Sequence, residues 1–369
     1  MGYHGPVFKS ENRPHTNLSA EVSGDSSYAP CTVVPEGNPW VPPHALVGAT
    51  FTQAFGRDEP QSAVELHVKH ETVAVSVVIP VFNDAEALER CLRQLQMQTH
   101  DHRRFEVIVV DNGSTDHTRE VATSFPGVKL LVESTYRNSP YSARNRAIEI
   151  ARGAVIALID ANCYPDPEWL SEAVSAMEGE SADLVAGNVL FDITEPFRAA
   201  HIVDGMTNIR MRESVEKKSV AKTANLIVKK DVFNQLGLFP EGLRSGGDVR
   251  WTGEAVSIGL KLVFAENAVV RKAPRDWAEL LKKQWRVARG QPAIWKEPEK
   301  HLRVSELLGK MLIPPRIRTT KRKAENVLLE TVGRTGLLTI PLLLKIWFLR
   351  LAVQIVMGFA HIVFVLKQR

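Results

Sequence analysis

The run Val155-Ile-Ala-Leu-Ile159, closed by Asp160 and followed by Asn162, limits the fold more than any other stretch of this chain. Five consecutive apolar residues are too few for an amphipathic helix and are apolar on both faces. That pattern predicts a strand buried in the middle of a sheet. A carboxylate at the strand's carboxyl end, with an amide two positions on, puts ligand-type side chains where open α/β sheets bind ligands. Pro165 and Pro167 end the strand, and Asp166 is placed to cap a new helix with Pro167 in its first turn. On these residues alone, Asp160 is equally well explained as the start of a polar turn.

The same strand-then-helix pattern precedes it three times. Val73 to Pro80 reads as a buried strand, with Asn83 as the cap of a helix and Glu86 set for a capping box. Leu88, Cys91, Leu92 and Leu95 fall on one face of that helix. A second strand, Phe105 to Val110, ends at Asp111, and a helix runs on to about Phe125. Val128 to Val132 and a helix over Ser139 to Arg152 complete the third unit. Four alternations predict a mostly parallel sheet with helices on both faces. The turn Pro80-Val-Phe-Asn-Asp-Ala85 argues against a dinucleotide fold, because it lacks the glycines that admit a pyrophosphate.

Four segments occur in a familiar order: Val75-Ser-Val-Val-Ile-Pro-Val-Phe-Asn83, Val109-Val-Asp-Asn-Gly-Ser-Thr-Asp116, Ala143-Arg-Asn145 and Leu158-Ile-Asp-Ala-Asn162. Together they resemble a family 2 glycosyltransferase of the GT-A fold, over roughly Val73 to Gly290. The resemblance implies an inverting transfer from an NDP-sugar, a UDP-sugar first, to a glycan or lipid-linked saccharide. It implies that Pro80, Phe82 and Asp111 hold the nucleoside, with Asp111 accepting from a base N–H, and that Arg144 lies near the sugar or diphosphate. Asp160 and Asn162 stand where the family's Asp-x-Asp binds a divalent cation, Mn or Mg. Here the second acid is an amide, a neutral and weaker ligand for a hard ion, which leaves metal dependence open. Asp248, after Gly246 and Gly247, takes the place of the catalytic base. Lys272 stands near where many relatives carry a histidine, and puts a fixed cation beside the donor's diphosphate.

Each residue also has a plainer reading. Asp111 can close an Asx turn, Arg144 can be a solvated helix charge, Asp248 can be a helix N-cap, and Lys272 can belong to a surface cluster with Arg271. A rival from another class is a non-catalytic nucleotide-sugar-binding or scaffold protein.

At 369 residues, with 44% hydrophobic and 24% charged residues, the chain suits one large domain with extensions. We divide it into an irregular extension over 1–72, a GT-A domain over 73–300, and a basic linker with an apolar helical segment over 301–369. Cys31, Cys91 and Cys163 follow no zinc spacing, which suits a reducing compartment. No secretory signal opens the sequence. Arg316, Arg318, Lys321, Arg322 and Lys323 are followed by apolar runs at Leu337–Leu344 and Leu351–Leu366. The second run spans roughly 24 Å as a helix, short of a bilayer core of about 30 Å. Arg350, Gln354 and His361 form a narrow polar stripe along it. This predicts an interfacial or re-entrant helix, peripheral or monotopic at the cytoplasmic face of a membrane, or a short single span; the alternative is a buried helix packed on the catalytic domain. No recognition helix or RNA-binding motif accompanies the basic residues, so nucleic acid is not an expected partner.

Overall fold

The computed structural model describes residues 74–137, 139–290, 311 and 313–367. The extension expected over 1–72 and the residues 291–310 of the expected domain boundary lie outside the described residues.

The first half follows the predicted alternation. Strand β1 (Val75–Val81) leads to helix α1 (Ala85–Leu95), β2 (Phe105–Asp111) to α2 (Thr118–Ser124), and β3 (Val128–Val132) to α3 (Pro140–Ile150) and β4 (Val155–Ile159). β1 and β2 are buried along their whole length, as continuous apolar runs require. Leu88, Cys91, Leu92 and Leu95 of α1 pack into the same core. The chain continues through β5 (Cys163–Pro165), α4 (Trp169–Gly179), β6 (Leu184–Phe191), α5 (Ala199–Thr207) and α6 (Met211–Lys218). Then come β7 (Asn225–Lys229), α7 (Lys230–Leu236), α8 (Gly247–Ser257), β8 (Leu262–Lys272) and α9 (Trp277–Gly290). The eight strands form one mixed sheet in the order β3-β2-β1-β4-β7-β6-β8-β5. Its first four strands are parallel; β7 runs against β4 and β6, and β5 against β8.

Two local expectations need correction. Asn83 is not the cap of α1: it takes a left-handed φ of 48°, its N–H donates to Ser114 Oγ, and its Oδ1 accepts from Thr115 N–H at 2.7 Å. The helix N-terminus is instead served across the loop by Asp116, which accepts from Ala85 N–H at 3.3 Å. Asp166 does not cap α4 either. Residues 163–165 stay extended because β8 offers them an edge to pair with, so the helix starts later, after Glu168. The Asp166 carboxylate pairs with Arg271 at 2.9 Å.

A bulge between Gly187 and Asn188 divides the β6–β8 ladder. Fully buried Asn225 pins it, donating to the carbonyls of Asn188 and Ala268 and accepting from Trp169 Nε1. An amide with both ends satisfied suits a place where strand bonding is interrupted.

Helices α10 (Ile317–Val332) and α11 (Ile340–Lys367) close the chain. A second apolar cluster joins Ile346 and Val353 of α11 to Val327, Leu280, Ile202 and Phe191. Where the sequence suggests two broken apolar runs, α11 is one helix of 28 residues, about 42 Å at the usual rise. Arg350 and Gln354 of its polar stripe are turned toward the protein. Arg350 donates to Thr320 Oγ1 at 2.5 Å, Gln354 to the Ile313 carbonyl at 2.7 Å, and Trp347 to the Pro315 carbonyl. Ile340, Leu344, Phe348 and Phe359 are exposed instead, Phe348 at 62%. The helix is long and apolar enough to cross a membrane.

Candidate active site

Parallel pairing brings the ends of three strands to one edge of the sheet. Pro80 lies opposite Val110, Val81 opposite Asp111, and Val78 opposite Leu158, two residues before Asp160. Pro80 is buried in β1 and Phe82, just beyond it, is exposed. Asp111 is fully buried. Its Oδ1 accepts from Ser114 N–H at 3.0 Å and its Oδ2 receives Arg119 Nε at 2.6 Å, so the Asx turn is formed. Burial pushes this carboxyl up, but Ser114 and Arg119 outweigh it and hold it below the ordinary range. The carboxylate still has lone pairs beyond these two bonds.

Arg144 is no solvated charge. It is 2% exposed, and its Nη2 lies 2.6 Å from Asp160 Oδ1 while Nη1 donates to the Pro140 carbonyl. Its Nε is buried with no hydrogen-bond partner. Lys272 is no surface charge either, being 1% exposed. Register explains this: Lys272 pairs with Cys163 on one side and Phe191 on the other, so its neighbours are the strands that follow Asn162 and lead from the bulge. The ammonium donates to Asn162 Oδ1, lies 3.8 Å from Asp160 Oδ2 and 3.5 Å from Cys163 Sγ. Asp160 keeps a side-chain exposure of 35%, so one side of it faces open space. Its burial raises the carboxyl pKa, but Lys272 and then Arg144 pull it below the ordinary range.

Asp248 lies in the first turn of α8, not at its N-cap, which is Gly246 at a left-handed φ of 82°. A side chain at Gly247 would meet the Tyr141 ring at 3.0 Å, so the glycine pair lets α8 begin directly against that ring. Asp248 Oδ1 accepts from Tyr141 Oη at 2.9 Å and from its neighbour Val249 N–H, and Oδ2 accepts from Thr223 N–H at 3.3 Å. Burial and then Asp248 raise the Tyr141 phenol well above its usual range, which keeps it a proton donor. Tyr141 and Arg144 sit three residues apart on α3, the guanidinium 5.8 Å from the ring centre. One helix face thus links Asp160 to Asp248. Tyr141 was not singled out in the sequence, although its spacing from Arg144 was a readable signal.

Further cations, Arg275, Lys283 and Arg286, lie close enough to interact electrostatically with Asp160. Burial and then Arg275 push the Lys283 amine well below the usual lysine range. Burial followed by Arg275 and Arg244 lowers Arg286. Arg275 itself pairs with fully buried Asp204 at 3.3 Å. Such crowding of like charge suits a polyanionic ligand.

The fit to a divalent cation is poor. No group of three His, Cys, Asp or Glu side chains suited to a metal ion occurs among the described residues. Asn162 Oδ1 is engaged by the Lys272 ammonium and Asp160 Oδ1 by Arg144. A divalent ion about 4 Å from that ammonium would meet a repulsion on the order of 8 kcal/mol at an effective dielectric of about 20.

Residues 76–237 match the family model described as glycosyl transferase family 2. The chain is 44% identical over 225 residues to glycosyltransferase AglE of Haloferax volcanii, covering 60% of this chain and 74% of that one. Among solved structures it is similar to a mannosyltransferase of Pyrobaculum calidifontis in complex with GDP-Man and Mn2+. The TM-score is 0.47 at 19% identity, over 79% of this chain and 75% of the other. Similarity to S. aureus TarS 1-349 in complex with UDP-GlcNAc has a TM-score of 0.46 at 18% identity, over 76% and 90% of the two chains.

Proposed function

Because the chain belongs to glycosyl transferase family 2 and is a glycosyltransferase on a GT-A sheet, we propose that it moves a sugar, with inversion, from an NDP-sugar to a hydroxyl of a glycan or lipid-linked saccharide. The observation that carries this is the single face of α3 that pairs Arg144 with Asp160 and Tyr141 with Asp248. In this reading Pro80, Phe82 and Asp111 hold the nucleoside, and Arg144, Asp160 and Lys272 the diphosphate end of the donor. Asp248 takes the acceptor's proton. The acceptor oxygen forms a bond to the anomeric carbon as the bond from that carbon to the phosphate oxygen breaks, and the nucleoside diphosphate leaves with the electron pair. A UDP-sugar and a GDP-sugar are the first donors to try.

We read residues 73–300 as the transferase domain and 301–369 as a segment that holds it to a membrane. α11 supports this, with Arg350 and Gln354 bonded to the protein and Ile340, Leu344, Phe348 and Phe359 exposed. Exposed Trp277 and Lys345, which line one cleft beside α11, suit a headgroup layer. The exposed cations Arg316, Arg318, Lys321 and Arg322 suit anionic lipid on the cytoplasmic side.

The test is turnover of a panel of nucleotide sugars by the full chain in detergent, with the anomeric configuration of the product read by NMR. An inverted glycoside is expected. Nucleotide binding with neither hydrolysis nor transfer of any donor would mark a non-catalytic binding protein instead.

A further inference from the structure

We propose that the Lys272 ammonium occupies the place of the divalent cation, so that the donor's diphosphate is held directly by Lys272 and Arg144 and transfer needs no metal. This rests on the NDP-sugar reading above and deepens it.

Three observations carry it. The first is placement. In the DxD-like sequence Asp160-Ala-Asn162, the point shared by the two ligand side chains is filled from β8 by Nζ of Lys272, bonded to Asn162 Oδ1 and 3.8 Å from Asp160 Oδ2. The second is rigidity. Lys272 is buried to 1% exposure and fixed by ladder pairing to Cys163 and Phe191, so its charge cannot swing away into solvent. The third is spare donor capacity beside one carboxylate. An ammonium has three N–H groups, of which one goes to Asn162 and one points at the weak acceptor Cys163 Sγ. Arg144 Nε is buried and unpaired beside the same carboxylate. Unfilled donors buried next to a partly open acid call for an acceptor from outside, and a diphosphate's oxygens supply several.

The substitution pattern is self-consistent. Lys272 and Arg144 already share the single carboxylate of Asp160, so a second acid at position 162 would cancel their remaining positive charge, whereas the amide accepts a hydrogen bond and leaves that charge for the leaving group. Two fixed cations then stabilise the negative charge that develops on the departing phosphate oxygen.

Two readouts test this on the full chain in detergent. In the first, transfer from the donor found active in the panel is measured in excess EDTA and in excess Mn2+. The inference expects the two rates to agree within about threefold, and Lys272→Ala and the volume-conserving Lys272→Met to lose about 10²-fold or more in both media. In the second, Mn2+ binding in the presence of UDP or GDP is followed by electron paramagnetic resonance. The native chain should bind no Mn2+ in a stoichiometric complex, and the double variant Asn162→Asp/Lys272→Ala should gain one. Melting curves of both single variants report whether the fold survives. Collapse of activity in EDTA with recovery in Mn2+, or stoichiometric Mn2+ in the native chain, would overturn the inference and leave the donor reading standing. Failure of every nucleoside diphosphate to bind, with or without Mn2+, would overturn both.

Discussion

Replacing Asp248 by Asn separates chemistry from architecture. Asp248 Oδ1 accepts from Tyr141 Oη and Val249 N–H, both at 2.9 Å, and an amide oxygen can keep both bonds. The amide nitrogen would then face Thr223 N–H, donor against donor, and that 3.3 Å bond would be lost. One such bond is worth about 1 kcal/mol. Loss of a charge from the first turn of α8 costs a further ~0.3–1 kcal/mol. The protein should therefore remain folded, destabilised by about 1–2 kcal/mol. The transfer step should suffer far more, because the amide cannot take up a proton. Loss of a general base lowers rates about 10²- to 10⁴-fold, roughly 3–5 kcal/mol of barrier. Steady-state transfer, calorimetric titration with nucleoside diphosphate and a thermal melt together measure all three quantities. The expected result is a large fall in kcat with donor affinity and fold retained. Turnover within about threefold of the native chain, or a loss that tracks failed donor binding, would refute the assignment.

Glu106 tests the electrostatics of the core. It is buried and accepts from Ser76 Oγ and Arg152 N–H at 2.7 Å, Lys129 Nζ at 2.9 Å and Arg152 Nε at 3.0 Å. Burial pushes its carboxyl up, but the Arg152 N–H, Ser76 and Lys129 together hold it below the ordinary range. A depressed carboxyl stabilises the fold above its unfolded-state pKa of about 4.3, and that contribution fades as pH falls through the lower folded-state value. Glu106→Gln should thus cost about 2–4 kcal/mol near neutrality, with the gap closing in acid as read by denaturant titration. An equal gap at all pH would contradict this account. Asn225→Ala strands the Trp169 indole N–H and the carbonyls of Asn188 and Ala268; a loss of about 3 kcal/mol or more is expected, and a change below about 1 kcal/mol would remove Asn225 as the pin of the bulge. Phe348→Glu with Phe359→Glu changes only exposed side chains of α11, so sedimentation with anionic vesicles should be lost while the melt holds. Unchanged sedimentation would show that this face does not meet lipid.

The parts of the fold that were legible are those whose local pattern repeats the tertiary environment. β1, β2 and β4 are buried on both faces, so an unbroken apolar run sufficed. β5 was missed because three residues ending in a proline carry no periodicity, and only the edge of β8 makes them a strand. The burial of Lys272 was illegible for a related reason. Arg271 and Lys272 are adjacent and equally basic, but alternation sends one to Asp166 at the surface and the other beneath Asn162. The contact between Tyr141 and Asp248 spans 107 residues and depends on the glycine pair that brings α8 against α3. In α11 the charges at Lys345 and Arg350 looked like interruptions, because the partner of Arg350 lies on another helix.

A cation built into a strand has kinetic consequences that an exchangeable ion does not. A bound metal can depart with the nucleoside diphosphate, resetting the site with each cycle. Lys272 is covalently part of β8 and held by two ladder partners, so a product bound by it as proposed would have to break away from its countercharge on every turnover. If Lys272 takes the metal's place, supply of divalent ion would cease to govern the rate, and release of the spent nucleotide would take over that role. Such an enzyme would be indifferent to swings in free magnesium or manganese. It would instead be throttled by its own nucleotide product, and relieved by salt that screens the attraction or by any reaction that removes that product.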